Sequence, residues 1–201
     1  MMLTDVAGLF GHASALAASA LLVPAVRRLS TRHLSWLLAA VFLLALLPLS
    51  DLPWAGYTRG MVGDLSITTL VLIGLAILRP YGIVASEKSR AQLLLVIAAS
   101  ALIFYPMTLG ITLYDPYRLG YGDAGSFSVV LVIALLAWWR QSNLIVLCLT
   151  LATLAWSLGG YESTNAWDYF IDPLLASYAL FYGCRRLYGV CATKLRGDKK
   201  G

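Results

Sequence analysis

Seven apolar runs, separated by short polar stretches, follow one another along almost the whole chain. A helix needs roughly 20 residues to cross a hydrocarbon core of about 30 Å. Several runs are shorter, so their flanking residues would lie at headgroup level or the bilayer would thin locally. The pattern predicts an all-α integral membrane protein with seven transmembrane helices in one polytopic domain (residues 1–190), followed by a basic cytoplasmic tail (residues 191–201). The predicted helices span residues 7–26, 34–50, 62–79, 91–109, 124–139, 143–160 and 171–188.

The segment from Phe127 to Leu158 is apolar enough to form either one long helix or two. A single helix would carry Arg140 and its polar neighbours at mid-depth in the membrane, which costs several kcal/mol. Two helices joined by a tight turn at Arg140 avoid that cost, and they place Trp138 and Trp139 at the membrane interface, where indoles are favoured. We therefore predict two helices.

The polar stretches alternate in the sign of their charge. Every Lys and Arg except Arg59 and Arg118 falls in one set of stretches, and every Asp and Glu except Glu87 and Asp198 falls in the other. Lys and Arg are enriched in cytoplasmic loops. The sequence therefore predicts that the N-terminus lies outside and the C-terminus lies in the cytoplasm. The first run is followed, not preceded, by basic residues, which indicates a retained helix rather than a signal peptide.

Composition agrees with a membrane protein. Hydrophobic residues make up 60% of the 201 residues, only 12% are charged, and the mean hydropathy is +0.78. Soluble domains are typically about 45–50% apolar and about a quarter charged. The net charge of +5 is dispersed along the predicted membrane edges, so we expect no nucleic-acid partner. The basic tail is expected to lie against anionic lipid. The small size and the excess of Arg over Lys suggest a bacterial inner membrane.

Two of the three predicted outer loops share a motif. Arg59-x-x-x-Gly63-Asp64 matches Arg118-x-x-x-Gly122-Asp123. The third outer loop, YESTNAWDYFIDP, lacks the motif. One hypothesis is a decayed tandem repeat of two helical hairpins, since internal repeats occur in several membrane folds.

The motif has a structural and a functional interpretation. Glycine permits a tight turn, the Asp can cap the next helix, and the Arg can pair with an acid of a neighbouring loop. Alternatively, Arg59 and Arg118 converge on a phosphate or carboxylate. The candidate binding residues at the outer rim are Arg59, Asp64, Arg118, Asp123, Glu162 and Asp168.

The sequence assigns no catalytic residue. It contains no H-E-x-x-H, no paired cysteines and no phosphate-binding glycine loop, so we expect no metal and no cofactor. A lone histidine such as His12 is usually hydrogen-bonded between helices. The predicted helices carry no ionisable residue near mid-depth, which disfavours a coupled transporter.

The last predicted helix has two notable features. Asp172 followed by Pro173 is typical of a helix start, with Asp as N-cap. Tyr178, Phe181 and Tyr182 recur at helical spacing, for which core packing is the expected explanation and a ligand pocket the alternative.

Three functions remain after these exclusions. The favoured one is an accessory or assembly subunit of a cell-envelope system that binds a partner protein or lipid through its acidic, aromatic-rich outer loops. The alternative is an enzyme acting on a lipid-linked anionic substrate at the outer leaflet, with an outer acid as general base. A small transporter is the least favoured.

Overall fold

The computed structural model describes residues 3–48 and 50–197, and that part of the chain is all-helical (77% helix, no strands). Short 3₁₀ turns at Ala20–Leu22, Val26–Arg28, Arg79–Tyr81 and Pro116–Tyr121 interrupt the connections. The α-helices are α1 (Leu3–Ser19), α2 (Thr31–Leu46), α3 (Trp54–Val62), α4 (Ile67–Leu78), α5 (Glu87–Thr108), α6 (Ala124–Trp139), α7 (Asn143–Ser157), α8 (Trp167–Phe170) and α9 (Pro173–Gly197).

Serine N-caps make two helices, α2 and α5, begin before their apolar runs. Ser30 accepts from the His33 N–H at the start of α2, and Ser86 accepts from the Ser89 N–H at 3.1 Å at the start of α5. Both helices therefore begin in polar sequence, a few residues before the apolar run. An N-cap side chain satisfies an otherwise unpaired backbone N–H. The capping serine, rather than the first apolar residue, therefore determines where each of these helices begins.

The first of the predicted outer loops contains a helix, α3, that the apolar pattern does not predict. It ends at Gly63, whose φ of 82° an L side chain rarely adopts. A new helix, α4, starts only at Ile67, with Ser66 as its N-cap. The third predicted helix, expected to start at residue 62, therefore begins later and is shorter.

The chain turns between α6 and α7. Helix α6 ends at Trp139 and α7 starts at Asn143, with Gln141 at a φ of 57° in the turn. The side chains of Trp138 and Trp139 are exposed at this end of α6. The break between the helices lies at Arg140. A single continuous helix would have placed this charged residue in the middle of an apolar segment.

Helices α5, α7 and α9 enclose the largest buried cluster, which includes Leu94, Cys148 and Ala179. Smaller clusters lie beneath the outer loops, around Tyr161 and Tyr169, and between α1, α2 and α3. Much of the remaining helix surface is apolar and exposed. The exposed side chains include Leu43, Leu44, Leu102, Ile103, Leu131, Leu135, Leu154 and Phe181.

Two helical stretches within residues 3–48 and 50–197 are long and apolar enough to cross a membrane, Thr4–Leu22 and Glu87–Thr108. Four further apolar helices are shorter: Thr31–Leu46, Ile67–Tyr81, Ala124–Trp139 and Asn143–Ser157. Helix α9 continues to Gly197, so the first part of the predicted basic tail is helical. Residues 198–201 of that tail lie outside the described residues.

Candidate functional site

The three loops predicted to lie outside form one hydrogen-bonded unit, here called the outer cap, comprising residues 50–66, 109–123 and 158–172. The third segment lies between the other two. Asn165 is fully buried; its Nδ2 donates to the Tyr117 carbonyl at 2.8 Å, and its Oδ1 accepts from the Trp167 N–H at 2.9 Å. The Ala166 N–H donates to the Gly120 carbonyl at 2.9 Å. These bonds connect the third segment to the second.

Gly120 makes this contact possible. A Cβ atom at Gly120 would overlap Asn165 Oδ1 and the Trp167 ring. The Trp167 indole N–H also donates to the Pro116 carbonyl at 3.0 Å. A residue with a side chain at position 120 would therefore separate the second and third segments.

The third segment also contacts the first segment and α4. The Tyr161 hydroxyl donates to the Leu65 carbonyl at 2.7 Å, and the Thr68 hydroxyl donates to the Phe170 carbonyl at 2.7 Å. Burial raises the pKa of Tyr161, so its hydroxyl stays protonated and keeps its donor role. Tyr169 stacks on Tyr161 with ring centroids 4.9 Å apart.

A buried carboxylate joins the starts of two helices. Asp172 is 3% exposed, and its Oδ1 accepts from the Leu175 N–H at 2.8 Å, so it caps α9. Its Oδ2 accepts from the Ser66 N–H at 3.0 Å and from the Ser66 hydroxyl at 2.7 Å. The Thr69 hydroxyl donates to the same oxygen. The predicted N-cap is confirmed, and it also binds the start of α4.

Three acids surround Arg59. Its Nε and Nη2 donate to the two carboxylate oxygens of Asp64 at 2.6 and 3.1 Å, and its Nη1 donates to Asp5 at 3.3 Å. Glu162 Oε1 lies 3.6 Å from Nη2. The Arg59 and Asp64 side chains are each only 17% exposed. The hydrogen bonds that Arg59 donates to Asp64 raise the pKa of the guanidinium above its ordinary value, so Arg59 stays charged.

Helix α1 provides the room for this cluster. A Cβ atom at Gly8 would overlap Asp64 Oδ1 and Arg59 Nε. Four residues along the same helix, His12 is 3% exposed, and its Nε2 lies 2.8 Å from the Gly63 carbonyl. His12 therefore forms the expected hydrogen bond between helices. Gly8 and His12 are two positions at which α1 contacts the first motif.

The two copies of the shared motif are built differently. Both glycines lie at positive φ, 82° at Gly63 and 99° at Gly122. Asp123 caps α6 by accepting from the Ser126 N–H at 2.8 Å, as predicted. The same prediction for Asp64 is wrong, because Ser66 caps α4 and Asp64 pairs with Arg59. Only the glycine turn is common to both copies.

Arg118 is exposed, and within residues 3–48 and 50–197 its side chain forms no hydrogen bond or ion pair. It therefore shares no partner with Arg59. Asp168 accepts from the Tyr117 hydroxyl at 3.0 and 3.1 Å and from the Ser163 hydroxyl. Partial burial and this carboxylate raise the pKa of Tyr117, which keeps its hydroxyl protonated.

The structure thus divides the six candidate residues. Arg59, Asp64 and Glu162 lie together, whereas Asp123, Asp168 and Arg118 have separate environments. Sequence reasoning missed Asn165, which no motif or spacing indicates. Within the described ranges, no group of three or more His, Cys, Asp or Glu residues is arranged to hold a metal ion.

Apolar side chains protrude from the second segment of the outer cap. Leu109 and Ile111 are 79% and 75% exposed, and Leu113 is fully exposed. Tyr114 and Tyr121 in the same segment are also exposed. These residues adjoin a hydrogen-bonded framework, and their backbone belongs to no α-helix. Exposed apolar patches typically mark interaction surfaces.

Comparisons with known protein families, with curated proteins and with solved structures find no match to this chain. Its function is therefore inferred from the outer cap itself.

Proposed function

We propose that this chain is a seven-span protein of a bacterial inner membrane that serves as an accessory or assembly subunit of a cell-envelope system. It binds a partner protein through the outer cap. The observation that carries the proposal is the protruding apolar loop of residues 109–114 on a cap that is otherwise tied together by buried hydrogen bonds. A surface held in one conformation before binding loses less entropy on association.

The charge sorting and the apolar helix surfaces support the membrane location. Two helical stretches reach spanning length, and the shorter ones require interfacial flanking residues or a locally thin bilayer. The outer cap then lies outside the cytoplasm, next to the outer leaflet.

The enzyme alternative is less well supported by the geometry. It assigns Arg59 and Arg118 to an anionic headgroup and one of Asp64, Asp123, Glu162 and Asp168 to proton transfer. Arg59 and Asp64 bind each other through both carboxylate oxygens. Asp123 and Asp168 likewise accept hydrogen bonds from the cap itself.

The topology is tested by reporter fusions. An alkaline phosphatase domain, active only outside the cytoplasm, is expected to work after Gly122 and to fail after Arg90. A fluorescent protein that matures only in the cytoplasm should show the opposite pattern. Phosphatase activity after Arg90 together with fluorescence after Gly122 would contradict the proposed orientation.

The partner is tested by purification of the full chain in mild detergent, followed by mass spectrometry of bound protein and lipid. We expect a partner in near-stoichiometric amount. Serine at positions 109, 111 and 113 should reduce its recovery at least about ten-fold, which corresponds to a loss of about 1.4 kcal/mol.

The matched control replaces Ile83 and Val84 by serine, because these apolar residues are also exposed but lie in the loop before α5. This variant should retain the partner. A lone monodisperse protein, or equal loss of the partner in both variants, would contradict the proposal. Recovery of lipid without protein, with loss of that lipid from the serine variant of the cap but not from the control, would assign the outer cap to lipid instead.

A further inference from the structure

An open groove of about 530 Å³ lies along α9, the helix that begins directly after the third segment of the outer cap. We call it the aromatic–arginine groove. The Arg90 guanidinium of α5 lies beside it and donates to the Tyr178 hydroxyl at 2.8 Å. The groove is lined by Tyr178, Phe181, Tyr182, Arg185 and Arg186.

Two of the three aromatic residues of this groove do not belong to the core. Tyr178 is 45% and Phe181 is 61% exposed, so the expected core packing is wrong for these two, whereas Tyr182 is partly buried and packs against the cluster between α5, α7 and α9. Helix α9 instead packs through small residues. Ala179 is fully buried, and a Cβ atom at Gly183 would lie in ordinary contact with Ala98 of α5. The rings of Tyr178 and Phe181 are consequently left on the accessible side of the helix.

The arginines of the groove are held by aromatic groups rather than by acids. The Arg185 guanidinium lies 5.7 Å from the centre of the Phe181 ring, and Arg186 Nη1 donates to the Tyr182 hydroxyl at 3.3 Å. In the described part of the chain neither of them, nor Arg90, forms a salt bridge. Arg59 in the outer cap, surrounded by carboxylates, is the opposite case.

We infer that the aromatic–arginine groove binds the phosphate headgroup of an anionic phospholipid of the inner leaflet. A guanidinium offers a planar fork of donors that matches phosphate oxygens, and no acid of the described residues pairs with the guanidinium groups here. Basic pockets between membrane helices on the cytoplasmic side are typical headgroup sites.

An amphiphile fits this surface better than a soluble anion does. The groove combines charge with the exposed ring of Phe181, and the exposed side chains of Leu187 and Tyr188 follow on the same helix. Acyl chains would cover these apolar groups while the phosphate pairs with the arginines. The inference rests on the membrane location proposed above, but not on the partner at the outer cap.

The test measures binding of phosphatidylglycerol to the purified full chain by native mass spectrometry in detergent, with phosphatidylcholine as the zwitterionic comparison. We expect preferential binding of phosphatidylglycerol. Replacing Arg185 and Arg186 by glutamine should weaken that binding at least about ten-fold, whereas phosphatidylcholine binding should stay unchanged.

The control variant replaces Arg27 and Arg28, an adjacent basic pair on the same predicted side that does not line this groove, by glutamine. Its affinity for phosphatidylglycerol should change less than about two-fold. If the variant with Arg185→Gln and Arg186→Gln does not fold, the variant with Arg185→Lys and Arg186→Lys keeps the charge and removes the planar guanidinium fork. Binding should then still fall below that of the wild type.

Three results would overturn the inference. The first is equal weakening in the groove variant and in the control variant, which would indicate general charge attraction. The second is equal binding of the two lipids by the wild type. The third is displacement of phosphatidylglycerol by excess inorganic phosphate, which would assign the groove to a soluble anion. The reporter fusions after Arg90 and Gly122 test the membrane orientation independently of this lipid-binding measurement.

Discussion

Replacing Asp172 by alanine is expected to lower the free energy of unfolding by at least about 3 kcal/mol, because buried donors on two helices lose a charged acceptor. Two of the donors are the backbone N–H groups of Ser66 and Leu175, which lie at the starts of α4 and α9. The Ser66 and Thr69 hydroxyls complete the set. Removing the carboxylate uncaps α9 and separates the first and third segments of the outer cap.

Thermal unfolding of the detergent-solubilised protein, read by circular dichroism, measures this effect. Asp172→Asn keeps the shape and one acceptor oxygen, so its loss should be smaller. Asp51→Ala is the matched control, since this acid of the first outer loop is exposed, and it should change stability by less than about 0.5 kcal/mol. An Asp172→Ala protein as stable as the control would show that the carboxylate does not join the two helices.

Arg59→Gln is expected to cost about 2–3 kcal/mol of stability, because it removes the cation shared by three acids and leaves Asp64 without its bidentate partner. The contribution of Glu162 is small, since its side chain is 62% exposed and screened by water. Most of the loss therefore comes from the partly buried pair with Asp64.

A double-mutant cycle separates this pair from general effects on the loop. Asp64→Asn in the Arg59→Gln background should cost less than Asp64→Asn alone, because the carboxylate is then already unpaired. The control is Arg118→Gln, at the matching position of the second motif, which should be nearly neutral. Equal effects at positions 59 and 118 would indicate that the two motif copies play the same part.

Local features of the sequence predicted much of the helical framework. An apolar run long enough to be buried forms a helix whichever neighbours cover it, and a polar turn such as the one at Arg140 ends it. The caps at Asp172 and Asp123 could also be predicted, because an N-cap bonds to residues only three positions away.

Predictions from the motif were less successful. Asp64 and Asp123 occupy equivalent positions in the sequence, yet one pairs with Arg59 and the other caps α6. The difference arises from two residues outside the motif. Ser66 already caps α4, and Gly8 of α1 leaves the space into which the Arg59–Asp64 pair fits. A comparison of the two loops alone contains no information about Gly8.

The sequence by itself determined the helical class, the positions of most helices and the sorting of charges that predicts two sides. Each of these follows from the chemistry of neighbouring residues. Only the tertiary structure decided which polar residues meet. Arg59 with Asp5, Asp172 with Ser66 and Asn165 with Tyr117 are all contacts between distant parts of the chain. Such pairs depend on how the helices pack against one another, and the local periodicity of the sequence does not specify that packing.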